Sequence, residues 1–131
     1  MCLLPARIET TTADVFRISD DVIGLKFKTD KQVRVEHAKE IIEGFMELIE
    51  KREHFFLIEA TDIISNMDNE ASRFFSKEAD TIPYTKGVAI VLNTLPIRLT
   101  ASVFINIQKP VYPTKIFGSK DQALKWFNRL N

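Results

Sequence analysis

Apolar residues recur along this chain in two periods, and the period changes from segment to segment. Across 35–52, Ala38, Ile41, Ile42, Phe45, Met46 and Ile49 repeat every three or four residues, with Glu36, Glu40, Glu43, Glu47 and Glu50 between them. That spacing predicts an amphipathic helix. Lys39–Glu43 and Glu47–Lys51 stand at i,i+4, each worth about 0.2–0.5 kcal/mol if formed. Arg34-Val35 occupies the place of a Ser, Thr or Asp cap, so tertiary packing must hold this helix start. Residues 22–28 alternate instead, with Ile23, Leu25 and Phe27 opposite Lys26 and Lys28, the pattern of a half-buried strand. Gly24 within it marks a close backbone approach. Residues 7–18 read as one strand before it, paired as a hairpin through Ser19-Asp20-Asp21.

Phe55-Phe56-Leu57-Ile58 and Val88-Ala89-Ile90-Val91-Leu92 are continuous apolar runs, as in strands covered on both faces. Between them, a loop over 62–68 leads to a second helix over 69–80, capped by Asp68 and packing through Ala71, Phe74, Phe75 and Ala79, with Pro83 beyond its end. Pro110 and Pro113 bracket an extended connector, Thr114 to Phe117 is a short strand, and Ser119 with Gln122 forms a capping box for a last helix built on Ala123, Leu124, Trp126, Phe127 and Leu130. One segment is ambiguous. Ile97, Leu99, Ala101, Val103, Ile105 and Ile107 alternate, which favours a strand. Thr94 followed by Pro96 reads as a helix start, and a strand of that length would be unusual. The order is β-β-α-β-α-β-(α)-β-α, in which alternating strands and helices imply a mainly parallel sheet.

The composition suits such a domain. The chain has 131 residues, is 45% hydrophobic and contains ten Phe. It is expected to form a single domain over 1–131, with 1–6 frayed. Lys plus Arg and Asp plus Glu are both 18. That balance argues against a nucleic-acid-binding domain and against a polybasic membrane arm. It is a sum of unlike regions: 36–53 holds six Glu against Lys39, Lys51 and Arg52, and 109–131 holds Lys109, Lys115, Lys120, Lys125 and Arg129 against Asp121. An acidic first helix and a basic C-terminal end would orient a charged partner, or simply be solvated. Cys2 is the one cysteine, and no run approaches the ~18 apolar residues of a membrane span. A cytoplasmic location is the expectation.

No catalytic pattern emerges. His37 lies early in the first helix and His54 precedes a strand, places that suit a surface or capping role, and neither has a second ligand at metal spacing. The sequence holds no GxSxG, GxGxxG or GxxxxGK[ST]. Glu59 and Asp62 lie at the C-terminal end of a buried strand, where α/β folds bind ligands, but a carboxylate pair alone is weak evidence. No metal or cofactor is expected.

The order of elements and three stretches resemble the SpoIIAA-like group, also called STAS/SEC14-like, in its small single-domain bacterial branch. The stretches are Glu36-His37-Ala38-Lys39-Glu40-Ile41; Ile58-Glu59-Ala60-Thr61-Asp62 through Met67-Asp68-Asn69-Glu70-Ala71; and Pro110 to Phe117 followed by Ala123-Leu124-Lys125-Trp126-Phe127. The resemblance spans roughly 15–131. It implies a mainly parallel mixed sheet flanked by helices, and it implies that 95–108 is a helix. In STAS-type antagonists of anti-sigma factors, a kinase phosphorylates a Ser just after the Asp that opens the second helix. Here Asp68 matches that Asp, but Asn69 holds the Ser position, and Ser65 and Ser72 are off register. The kinase switch is therefore not carried over.

The leading expectation is a non-enzymatic regulatory module that docks a protein partner through 62–72, with Asp62, Asn66, Asp68, Asn69 and Glu70 as partner-binding residues. The same residues also fit a plain helix cap. The SEC14-like side of the resemblance implies an alternative, binding of a lipid or small apolar ligand. A third reading makes 97–107 a homodimer surface. Both draw on the excess of apolar surface in that segment.

Overall fold

The computed structural model describes residues 7–28, 32–60 and 67–131. Six strands form one sheet in sequential order: β1 Arg7–Glu9, β2 Ala13–Ser19, β3 Val22–Phe27, β4 His54–Glu59, β5 Thr85–Val91 and β6 Thr114–Phe117. β1, β2 and β3 run antiparallel, whereas β3 through β6 pair in parallel. The parallel half needs crossovers, supplied by α1 Val35–Ile49, α2 Asn69–Arg73 with its continuation, and α3 Leu95–Gln108; α4 Lys120–Leu130 closes the chain.

The expected first strand over 7–18 is in fact two. The Thr10 hydroxyl donates to the Ala13 carbonyl at 2.8 Å and accepts the Ala13 N–H at 3.1 Å, which closes a turn where one continuous strand was expected. Glu40 of α1 holds the same turn by accepting the Thr11 N–H at 2.6 Å. Short polar side chains compete here with the sheet ladder. The element order accordingly gains a strand. β3 also lies deeper than expected, with Val22, Ile23, Gly24 and Leu25 all buried. A Cβ on Gly24 would stand 2.5 Å from the Phe16 ring, so the missing side chain is what lets that ring lie across the strand.

The alternation of side chains divides the core in two. On one face, Val15, Ile23, Leu25, Phe56, Ile58 and Val88 meet Ile41, Ile42, Phe45 and Ile49 of α1. On the other, Val22, Phe55, Leu57 and Ala89 meet Ala123 and Phe127 of α4, and the Phe55 and Phe127 rings stack at 4.6 Å. The poorly capped start of α1 is helped by its own third residue, because His37 Nδ1 accepts the Arg34 N–H at 3.1 Å. Glu50, which ends α1, takes a left-handed conformation at φ 52°.

The helix expected over 69–80 is α-helical only to Arg73. Phe74–Glu78 widens into a π-helical turn, and Ile82–Tyr84 is a 3-10 turn with Pro83 in it. The connector accounts for two of the carbonyls in that wide turn: Tyr112 Oη donates to Phe75 at 2.7 Å and the Val111 N–H donates to Ser76 at 3.2 Å. Leu95–Gln108 is a helix, as the resemblance implied and as the raw alternation did not.

Candidate functional site

Alternation on a helix has a geometric consequence. Two residues turn the helix by about 200°, so successive members of an alternating apolar set fall on opposite sides, and every second member falls in line. In α3 the set splits accordingly. Ile97, Ala101 and Ile105 face inward, while Leu95, Leu99, Val103 and Ile107 face water at 58–71% exposure.

The inner stripe is thin. Ala101 is the one fully buried residue of α3, and its side chain is a single methyl group. A cavity of about 130 Å³ lies beneath. Its floor is Leu25, Phe56, Ile58, Val88 and Ile90 of the sheet, and one wall is Ile42 and Phe45 of α1. Ser72, Phe75 and Ser76 form a second wall, and Ala101, Phe104, Ile105 and Gln108 form the roof. Tyr112 and Pro110 close one end. Among the described residues the lining is predominantly hydrocarbon, with six hydroxyl-bearing side chains and one amide. An apolar cavity of roughly 150 Å³ suffices to bind benzene or xenon. Burial pushes the Tyr112 phenol well above its ordinary pKa of 10.0, and its proton is donated to the Phe75 carbonyl, so the phenol adds a hydrogen-bonding edge to the lining.

Two elements hold α3 in place. At its start, Arg98 Nη1 donates to the Leu92 carbonyl at 3.1 Å and lies close to Gly118, where a Cβ would stand 2.5 Å from that nitrogen. At its end, Lys109 caps the helix in the left-handed region at φ 49°, its N–H donating to Ile105.

The residues expected to dock a partner are divided. Asp62 and Asn66 lie outside the described residues, as do Cys2 and Ser65. Asp68 is half-buried and caps α2, its carboxylate accepting the Ala71 N–H at 2.8 Å. Asn69, at the expected phosphosite position, and Glu70 are exposed on the first turn. Ser72, off register for that role, is buried and lines the cavity. Glu59 is half-buried at the end of β4. Among the described residues, no group of three or more His, Cys, Asp or Glu is placed to hold a metal ion.

His54 departs from its expected surface or capping position. It is fully buried at the start of β4, donating from Nδ1 to the Arg52 carbonyl at 2.9 Å and accepting from Arg17 at Nε2. Burial lowers its pKa, with the Arg17 charge acting in the same direction. Both ring nitrogens are engaged, at the end of the parallel strands opposite the C-terminal crevice where α/β sheets take ligands. The cavity-lining residues Phe104, Ile105, Gln108 and Tyr112 were not singled out as site residues; the signal was the apolar excess of 97–107.

Among solved structures, the chain resembles the crystal structure of an uncharacterized protein from the DUF3478 family with a SpoIIAA-like fold, from Shewanella loihica PV-4. The two share 16% identity over 93% of this chain and 97% of that one, with a TM-score of 0.61. The fold is therefore SpoIIAA-like, as the resemblance in sequence implied. No curated protein matches the chain. Among the described residues no helix is long and apolar enough to cross a membrane. The profile of DUF7793, a domain of unknown function, matches residues 16–131, and the chain belongs to that family.

Proposed function

We propose that this protein is a non-catalytic binding module that holds a small apolar ligand between its sheet and α3. The observation that carries this reading is the 130 Å³ cavity, lined by aliphatic and aromatic side chains from the sheet and four flanking segments. Cores pack at crystal-like density, so a space of this size with an apolar lining is a place where a small apolar molecule can enter without displacing side chains. The lining supports binding over chemistry. Among the described residues its one titratable group is Tyr112, already hydrogen-bonded, while the buried His54 is bonded through both nitrogens. A methyl-detected NMR titration with benzene tests the site. Saturable shifts confined to Ile42, Ile58, Val88, Ile90 and Ile105 are expected; shifts spread over the surface, or none, would contradict it.

A second reading, docking of a protein partner through 62–72, is supported by Asn69 and Glu70, which are exposed beside the Asp68 cap. Asn69→Ala with Glu70→Gln would then abolish capture of a partner from the native cell with the thermal melt lowered by no more than a few degrees. An unchanged set of captured proteins would contradict it.

A further inference from the structure

We infer that the outward stripe of α3 is the contact surface for a second copy of this chain, packed across a two-fold axis near Val103. Leu95, Leu99, Val103 and Ile107 are exposed by 58, 60, 60 and 71%, and Val111, just past the helix, by 61%. They follow one another at intervals of four residues. With ordinary residue areas of roughly 170–200 Å², about 550 Å² of these five lies in water, near the upper end for a monomer's largest apolar patch. Two copies would remove at most roughly 1,100 Å², close to the ~1,000 Å² that a specific interface needs.

The geometry suits a helix pair. Residues at i, i+4, i+8 and i+12 form a single ridge, and two such ridges interlock in the commonest class of helix crossing, near −50°. The charge pattern selects the partner. A two-fold contact sets each residue against its own kind, so any charge near the axis meets a like charge. The remaining outward positions of α3 are Pro96, Thr100, Ser102 and Asn106, all neutral. Its single charged side chain, Arg98, is turned away to the Leu92 carbonyl. A helix lying on a lipid surface carries Lys and Arg along its polar face, which α3 lacks. A self-complementary, uncharged ridge is what a second copy requires.

The contact does not depend on the cavity being filled, so its test stands apart. Sedimentation velocity on the full chain is expected to show a reversible monomer–dimer equilibrium in the micromolar range. Val103→Glu places two carboxylates across the axis and is expected to weaken dimerisation at least tenfold. Val103 is exposed, so the fold should persist, checked by an unchanged thermal melt. Val103→Cys in a Cys2→Ser background is expected to give a disulfide-linked dimer under mild oxidation, while Glu78→Cys in the same background forms no covalent dimer. A monomer at every concentration with no cross-link at position 103 would overturn the inference. So would a monomer that cosediments with phosphatidylglycerol vesicles and loses them on Val103→Glu, because the stripe would then face lipid.

Discussion

Arg17 donates from Nη1 to Nε2 of His54 at 3.1 Å and also reaches the Ser19 and Asp20 carbonyls at 3.0 and 2.9 Å, and that of Leu48. A guanidinium only donates, so the imidazole accepts at Nε2, carries its proton on Nδ1 and is neutral. The pair joins β2, the end of α1 and the start of β4 beneath the sheet.

The pH dependence follows from that neutrality. His54 has a folded-state pKa below 6.5, whereas the unfolded chain takes up a proton near 6.5. Below that value the unfolded state binds more protons. Stability is therefore fully present above pH 6.5 and falls as the pH drops toward the lower, folded pKa. Urea denaturation at about pH 7.5 and about pH 5.5 should show this loss, and His54→Gln should reduce it. An identical pH profile in the variant would show that His54 is not its source.

Asp68→Ala removes the carboxylate that caps α2 and should destabilise the fold by about 0.5–2 kcal/mol. Asp68→Asn, which keeps a capping oxygen, should recover most of that loss. Denaturant midpoints measure both, and equal losses in the two variants would assign the effect to charge instead of capping.

Tyr112→Phe deletes the 2.7 Å hydrogen bond to the Phe75 carbonyl in the π-helical turn. That carbonyl is left without its donor at the cavity wall, and the cost should be about 1–3 kcal/mol. Hydrogen exchange should accelerate in Phe74–Glu78 and in the connector after α3. Acceleration distributed evenly over the chain would mean that the bond does not tie these two segments together.

Much of the fold was legible in the sequence, for identifiable reasons. α1 was readable because one face is apolar at the helical period, and β4 because its apolar run is continuous and is covered on both faces. The turn at Thr10–Ala13 was not, because it rests on one threonine hydroxyl and on Glu40, distant in sequence. The π-helical turn depends on donors from Val111 and Tyr112, again distant. α3 was misleading by periodicity because it presents apolar residues on two sides, and only resemblance to a known fold resolved it. The cavity is a volume between elements, lined by residues far apart in sequence, and no motif encodes it. The excess apolar content of 97–107 nonetheless marked the segment that roofs it.

Ala101→Leu tests whether the space beneath α3 accepts added volume. Three further carbons would enter the cavity, each contributing up to about 0.8 kcal/mol. Stability should be unchanged or higher by up to about 2 kcal/mol. In a tightly packed site the same change should cost about 1–3 kcal/mol. Thermal and urea unfolding distinguish the two.

Native mass spectrometry of gently purified protein, beside the Ala101→Leu variant, addresses the binding proposal most directly. The account predicts a discrete mass above that of the 131-residue chain, released by organic extraction and missing from the variant. A wild-type mass equal to that of the bare chain in repeated preparations, or an added mass that persists in Ala101→Leu, would contradict it.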